Sequence, residues 1–171
     1  MTKQLNMEKM TKLLGELLID SKRSDRELAQ ILGVSQPTVS RMKKNLVDNE
    51  TISSYSVIPN FRKIGYKIMA LTFVETNTSY STKEDWNKMA RDVRTWMQKK
   101  PNVIFADRCR GLGMTGGMIS FHRSYDDFDV FIANHNRELG KYLKNVKNVL
   151  FNLGDHEKIK PFHFKYLVDD L

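Results

Sequence analysis

Two short helical patterns joined through one glycine occupy residues 25–45, DRELAQILGVSQPTVSRMKKN. Ser24 and Glu27 have the spacing of a capping box, which predicts that the first of these helices begins there. Gly33 stands where a helix ends in a left-handed residue, a conformation that only glycine adopts cheaply. A turn this short forces the two helices to cross at a steep angle and to share one core.

The second of these helices has a polar start and an apolar stripe. Ser35 can cap it, and Pro37 is tolerated in its first turn because the missing N–H would be unpaired anyway. Val39, Met42 and Leu46 recur at helical spacing, and a preceding amphipathic helix over residues 7–18 supplies a third element. The pattern is typical of a helix-turn-helix.

The opposite face of this helix carries amide, hydroxyl and cationic side chains. These groups can contact base edges and phosphates in a major groove. The candidate DNA-binding residues are Gln36, Pro37, Thr38, Ser40, Arg41, Lys43 and Lys44. The alternative is a helical hairpin with a solvated basic face, since charged helix faces are common.

Composition narrows the class of protein. The net charge is +8, with 28 basic and 20 acidic residues, which favours polyanionic partners such as nucleic acid. No apolar run approaches the ~20 residues needed to span a bilayer, and the charged N-terminus does not resemble a signal peptide. The single cysteine, Cys109, excludes an internal disulfide framework. We therefore expect a cytoplasmic protein with no membrane association.

The remaining residues show strand and helix patterns in the order β-α-β-β-α-β. The strand patterns are KIMALTFVET, NVIFADRC, MISFH and VKNVLFNLG. The inner faces of the two helices are predicted to carry Trp86, Met89, Ala90, Val93, Trp96 and Met97, then Phe128, Phe131, Ile132, His135 and Leu139. This order predicts a ferredoxin-like arrangement, an antiparallel sheet covered on one face by two helices, and hence an α+β protein.

The patterns also predict the domain boundaries. Residues 1–58 form the winged helix-turn-helix domain, in which TISSYSVIP is a short extended segment or wing, and residues 59–66 are a linker. Residues 67–171 form the ferredoxin-like domain. Its last stretch, IKPFHFKYLV, is predicted to be an extended tail that Pro161 confines to a sheet edge.

Two of the predicted strands carry apolar residues on both faces. Residues 68–71 and 103–106 carry apolar side chains on the helix-covered face and on the other face as well. An exposed sheet face of this kind needs a partner sheet rather than water. We therefore expect a homodimer or a higher oligomer.

Four stretches together cover nearly the whole chain. In chain order they are RELAQILGVSQPTVSRMKKNLVDNETISSYSVIPN, GYKIMALTFVET, IFADRCRGLGMTGGMISF and SYDDFDVFI. In this order they resemble the leucine-responsive/asparagine regulator (Lrp/AsnC) family, also called feast/famine regulators. The resemblance implies a transcriptional regulator that binds double-stranded DNA through its winged helix-turn-helix. It also implies a second domain that senses a small-molecule effector, dimers formed through the sheets, and rings of several dimers.

The turn between the second and third strands departs from the family pattern. Members that sense amino acids tend to carry Thr-Gly-Asp and then an aromatic-Asp pair, whereas only Thr115 and Gly116 match here. Arginines beside the turn favour an anionic or carboxylate ligand, and the alternative is a plain hairpin with solvated arginines. The candidate effector-binding residues are Arg108, Arg110, Gly111, Gly113, Thr115, Gly116 and Gly117.

An enzyme is the alternative function, because the same two-domain architecture is similar to that of siroheme decarboxylases. The basic, uninterrupted face of the third helix argues against this reading. The four histidines, His122, His135, His156 and His163, lack ligand spacing, so no metal site is predicted. The turn GLGMTGG lacks the Lys-Ser/Thr of a phosphate-binding loop and lies between strands. The sequence therefore predicts neither a cofactor nor a catalytic residue.

Overall fold

The computed structural model describes residues 2–77, 82–154 and 158–171. They divide into two compact units, one formed by the residues up to 58 together with residues 158–171, and the other by the residues between. The last stretch, assigned from the sequence to the sheet domain, thus belongs to the unit of the N-terminal helices. None of the helices in the described ranges combines the length and apolar character that a bilayer span requires.

Three helices form the first unit: α1 (Thr2–Ile19), α2 (Asp25–Leu32) and α3 (Gln36–Asp48). They share one apolar core, in which the α3 stripe lies inward as predicted. The buried residues of that core are Leu13, Leu17, Leu28, Ala29, Leu32, Val39, Met42 and Leu46. All three helices therefore depend on one another for burial of their apolar faces.

The segment after α3, predicted to be a short extended segment or a wing, contains no strand. Residues 53–60 lie in neither helix nor strand. Ile52, directly before this segment, is anchored on the helices, since its backbone N–H donates to the Leu46 carbonyl at 2.8 Å and its side chain packs on the helical core. An alternating sequence becomes a strand only where a neighbouring strand pairs with its backbone groups, and this segment has no such neighbour in the described residues.

The C-terminal segment also differs from its prediction as an extended tail. Phe164–Asp170 form a 3-10 helix that packs against α1. Val168 and Leu171 line a groove on α1 beside Gly15, where an added Cβ would stand 3.2 Å from Val168 Cγ1. The contact with α1 partly covers Val168, and Gly15 permits the close approach.

We expect the Gly15→Leu substitution to displace this C-terminal helix from α1, because the new side chain occupies the space of Val168. Helix α1 itself should not be weakened, since leucine is a better helix former than glycine by ~0.5–1 kcal/mol. Limited trypsin digestion with mass spectrometry should show faster cleavage at Lys165 than in the wild type.

Gly140→Leu is the matched control, because an added Cβ there meets nothing within 4 Å. It should leave the cleavage rate at Lys165 unchanged. Equal rates in Gly15→Leu and the wild type would show that the 3-10 helix does not depend on this approach.

The second unit contains the predicted β-α-β-β-α-β order. Its elements are β1 (Ile68–Thr76), α4 (Lys83–Gln98), β2 (Val103–Gly111), β3 (Met114–His122), α5 (Tyr125–Leu139) and β4 (Leu143–Asn152). The strands are antiparallel and lie in the order β2-β3-β1-β4. The predicted α+β fold with a ferredoxin-like sheet is confirmed.

The two helices cover one face of this sheet. The buried residues between them and the sheet are Ala70, Trp96, Met118, Phe128, Phe131, Leu139 and Tyr142. His135 is buried beside Trp96, at 5.3 Å between ring centroids, and is the packed core residue that its helix position indicates. Trp86 and Ala90 are exposed rather than buried, whereas Met89, Val93 and Met97 on the same helix pack on the core.

The other face of the sheet carries an apolar row that crosses all four strands. In register, the row consists of Phe105, Ile119, Leu71 and Val149. Phe105 is 55% exposed and Val149 is 47% exposed. These four residues, here called the open row, alternate along their strands with residues that face the helices.

The stretch before β1 folds onto one end of the same face. Phe61 stacks on Phe121 with ring centroids 4.2 Å apart, and Tyr66 contacts the same ring at 5.8 Å. Gly65 has a φ of 94°, and an added Cβ would stand 2.5 Å from the Arg123 guanidinium. The predicted linker is therefore anchored on the sheet beside the open row.

Candidate nucleic-acid interface

Helix α3 presents a polar face to solvent. Its inward residue Val39 is fully buried, with 0% of its surface exposed. The exposed side chains on the opposite side are those of Gln36, Pro37, Ser40, Arg41 and Lys44. The structure thus brings five of the seven predicted DNA-binding residues onto one accessible surface.

Local interactions determine where α2 and α3 begin and end. The Glu27 carboxylate accepts from the Ser24 backbone N–H at 2.7 Å, and the Ser24 hydroxyl accepts from the Glu27 N–H, completing the predicted capping box. Gly33 ends α2 with a φ of 61° and a ψ of 46°. The Ser35 hydroxyl accepts from the Thr38 N–H at the start of α3. These caps fix the short turn that positions α3.

Two of the predicted DNA-binding residues are held by a carboxylate of α2. The Lys43 ammonium lies 2.7 Å from Asp25 Oδ1, and the Ser40 hydroxyl donates to Asp25 Oδ2. Hydrogen bonds from Lys43 and Ser40, together with the Lys43 charge, lower the pKa of the Asp25 carboxyl. Asp25 therefore stays ionised and braces the middle of α3 against the start of α2.

Arg41 and Lys44 remain available to a ligand. Among the described residues, no hydrogen bond or ion pair engages either side chain. Thr38 is half-buried and its hydroxyl lies 2.8 Å from that of Ser35. Arg26, which the sequence did not single out, is exposed in a groove beside Gln36 and adds a third cation on the α2 side. Its position two residues after the Ser24 cap, in the first turn of α2, was the signal that could have indicated it.

The candidate effector residues lie along the β2–β3 hairpin. Arg108 is exposed and pairs with Gly116 across the two strands, and Arg110 is also exposed. Gly111 and Gly113 have φ values of 138° and 73° in the turn, which require glycine. The hairpin therefore presents two cations on an edge strand.

Thr115, Gly116 and Gly117 contact strand β1 rather than a cavity. The Thr115 hydroxyl donates to the Val74 carbonyl at 3.2 Å and accepts from the Thr76 N–H at 2.9 Å. An added Cβ at Gly116 would stand 3.1 Å from Val74 Cγ2, and one at Gly117 3.4 Å from Phe73. These residues allow β3 to pack closely on β1, a structural role that the sequence alone does not reveal.

A curated protein similar to part of this chain is the HTH-type transcriptional regulator LrpA of Pyrococcus abyssi. The two are 33% identical over 64 residues, which span 37% of this chain and 45% of LrpA. The match thus covers less than half the length of that relative. No family model matches the chain.

Several solved structures share the fold of nearly the whole chain. A transcriptional regulator of Neisseria meningitidis, in complex with L-Met, has a TM-score of 0.74 at 15% identity and covers 90% of this chain and 91% of its own. An AsnC family transcriptional regulator from Agrobacterium tumefaciens has a TM-score of 0.70 at 16% identity, covering 92% of both chains. LrpC of B. subtilis has a TM-score of 0.67 at 18% identity, covering 89% of this chain and 96% of LrpC.

The chain has the Lrp/AsnC fold. The resemblance predicted from the sequence is confirmed over 64 residues by LrpA. The fold that the resemblance implies is confirmed over nearly the whole chain by the solved structures. In this fold, α3 is the second helix of the helix-turn-helix, and its exposed face is the surface described above.

The three histidines in the described ranges have structural partners. His122 is buried and its Nε2 lies 2.8 Å from the Ser120 hydroxyl. Burial lowers the pKa of His122 and of His135. His163 accepts from the Lys165 N–H at 2.9 Å, whereas His156 lies outside the described residues. Within the described ranges, no group of three or more His, Cys, Asp or Glu side chains could hold a metal ion.

Proposed function

We propose that this chain is a DNA-binding transcriptional regulator of the Lrp/AsnC type that acts in the cytoplasm and is not an enzyme. The observation that carries the proposal is the exposed face of α3, where Arg41 and Lys44 project opposite a fully buried apolar stripe. Cations bind phosphates or guanine, and Gln36 and Ser40 supply groups for base edges. The regulator LrpA, similar over 64 residues, supports the same function.

The protein is proposed to act as a homodimer or a higher oligomer. The open row offers an apolar surface across all four strands, and monomeric proteins rarely expose large contiguous apolar surfaces. A second copy supplies a matching sheet because a two-fold interface joins the same patch of both subunits. Double-stranded DNA would then be bound by two helix-turn-helix units.

A small-molecule effector is proposed to act on the sheet unit. The Neisseria meningitidis protein, which shares this fold, was solved in complex with L-Met. In this chain Gly117 stands where amino-acid sensors carry the first Asp, and Arg108 and Arg110 are exposed beside the turn. These cations favour a ligand with a carboxylate or another anionic group.

We expect Arg41→Ala and Lys44→Ala each to weaken DNA binding without unfolding the protein, since neither side chain contributes to the core. If one of them contacts guanine bidentately, its loss costs ~1–3 kcal/mol and relaxes specificity at one base pair. Lys43→Ala should cost less, because the Lys43 ammonium is already paired with Asp25. Gel-shift titration against a site selected from random DNA measures all three.

Lys83→Ala, which removes an exposed charge at the start of α4, is the control for net charge. It should keep wild-type affinity. Wild-type affinity in both Arg41→Ala and Lys44→Ala would refute the role of α3. A coloured preparation with a haem-like absorbance band would instead favour the alternative function, an enzyme similar to siroheme decarboxylases.

A further inference from the structure

Asp25 connects the first residue of α2 to the middle of α3. Its Oδ1 lies 2.7 Å from the Lys43 ammonium, and its Oδ2 accepts a hydrogen bond from the Ser40 hydroxyl. Ser40 is exposed and lies one turn after Gln36 and one turn before Lys44 on the face proposed to contact DNA. Asp25, which lies on α2, therefore holds the Ser40 side chain on the exposed face of α3.

The direction of the Ser40 hydrogen bond follows from the chemistry of both groups. An ionised carboxylate has no proton and can only accept, and contacts with Lys43 and Ser40 keep Asp25 ionised. A serine hydroxyl has one proton and two lone pairs. The proton of Ser40 is therefore committed to Asp25, and Ser40 offers its lone pairs to any other partner.

This commitment limits what Ser40 can contact on DNA. Phosphate oxygens only accept hydrogen bonds, so Ser40 cannot donate to them while it donates to Asp25. In the major groove, guanine N7 and O6 and thymine O4 also only accept. The amino groups at adenine N6 and cytosine N4 are donors, and these are the groups that complement a Ser40 lone pair.

We infer that Asp25 is a positioning residue for base recognition: it makes Ser40 an acceptor, so that Ser40 selects adenine or cytosine at the base it faces. The inference rests on the proposed function, because it needs α3 to lie in a major groove. It deepens that function by assigning a base preference to one side chain.

The Asp25→Asn substitution should reverse the polarity of Ser40 while preserving the shape of residue 25. The Lys43 ammonium can only donate, so the amide oxygen of the new residue turns towards it. The amide NH2 then faces Ser40 and donates to its oxygen. The hydroxyl proton of Ser40 becomes free to donate to guanine, thymine or a phosphate.

Glu27→Gln is the matched control. It removes the same charge from the same first turn of α2, but the Glu27 carboxylate accepts from the Ser24 backbone and hydroxyl rather than from α3. Any change caused by charge or by a weaker α2 should therefore appear in both variants. A change confined to one base position should appear only in Asp25→Asn.

The experiment is selection from random DNA followed by sequencing, with the wild type, both variants, Ser40→Ala and the Asp25→Asn/Ser40→Ala double variant. In the wild type, one position should favour adenine or cytosine by about twofold to tenfold, the range for one net hydrogen bond. Ser40→Ala should remove that preference. Asp25→Asn should remove or invert this base preference at the same position. The double variant should show the same preference at that position as Ser40→Ala alone.

Three results would overturn the inference. A motif that Ser40→Ala leaves unchanged shows that Ser40 does not contact a base, and a Ser40-dependent preference that survives Asp25→Asn shows that Asp25 does not control it. Both leave the proposed function standing. If no variant selects a motif, and the wild type does not either, the proposed function is refuted together with this inference.

Discussion

Replacing Leu71 with Asp should convert the protein to monomers and remove most of its affinity for DNA. Leu71 lies on β1, between Ile119 on β3 and Val149 on β4, within the open row. Placing an ionised carboxylate in a dry interface without a partner costs several kcal/mol, and a two-fold interface incurs this cost twice. The monomer should stay folded, because Leu71 lies outside the core beneath the helices.

The loss of DNA affinity follows from the loss of the second binding unit. Linked binding units can exceed the affinity of one unit by about 10²–10⁴-fold, and this gain disappears when the subunits separate. Light scattering gives the mass in solution, and gel-shift titration gives the affinity. Circular dichroism of the same samples checks that the helices remain.

Val130→Asp is the control for adding a charge at an exposed apolar residue. Val130 is 63% exposed on α5, the helix that covers the opposite face of the sheet. This variant should keep the wild-type mass and affinity. If Leu71→Asp keeps the wild-type mass instead, subunits do not associate through the open row.

Inserting about five base pairs between the half-sites of a bound operator should cost most of the dimer's cooperative affinity. A two-fold dimer places its two α3 helices in major grooves on one side of the duplex, about 34 Å or a multiple apart. Five base pairs turn one half-site by about half a turn, away from its helix. Gel-shift titration with the parent and altered operators measures the loss.

Two further measurements test the same dimer, one through the spacing of the half-sites and one through the number of phosphate contacts. Inserting about ten base pairs restores the facing of the half-sites and should recover part of the affinity. With about three cationic phosphate contacts per subunit, for which Arg26, Arg41 and Lys44 are suited, log K should fall with log salt at a slope near −5. If half-turn insertions leave the affinity unchanged and the slope of log K against log salt is near zero, the operator is not recognised by this dimer.

The sequence alone determined the features that depend on neighbours a few residues apart. The capping box of Ser24 and Glu27 and the left-handed Gly33 involve residues within one or two helical turns, and the structure contains both. The buried positions Val39 and Met42 followed from helical periodicity for the same reason. The strand and helix order of the second unit is likewise the sum of local patterns.

Tertiary structure decided the features that depend on distant parts of the chain. Residues 159–168 have the composition of an edge strand, yet Phe164–Asp170 form a 3-10 helix because α1 offers a groove at Gly15. Residues 53–60 alternate like a strand but have no strand partner in the described residues. A backbone conformation that needs an outside partner cannot be inferred from the segment by itself.

The candidate site divides in the same way. The exposed face of α3 was predictable because a buried stripe determines the opposite side of a helix. The bonds from Asp25 to Ser40 and Lys43 join residues 15 and 18 positions apart, on two different helices. Their meeting depends on the angle at which α2 and α3 cross, which the packing of the shared core decides and no local pattern encodes. The residue types on the exposed face of α3 were thus determined by the sequence, whereas the hydrogen-bonding state of Ser40 was decided only by the tertiary structure.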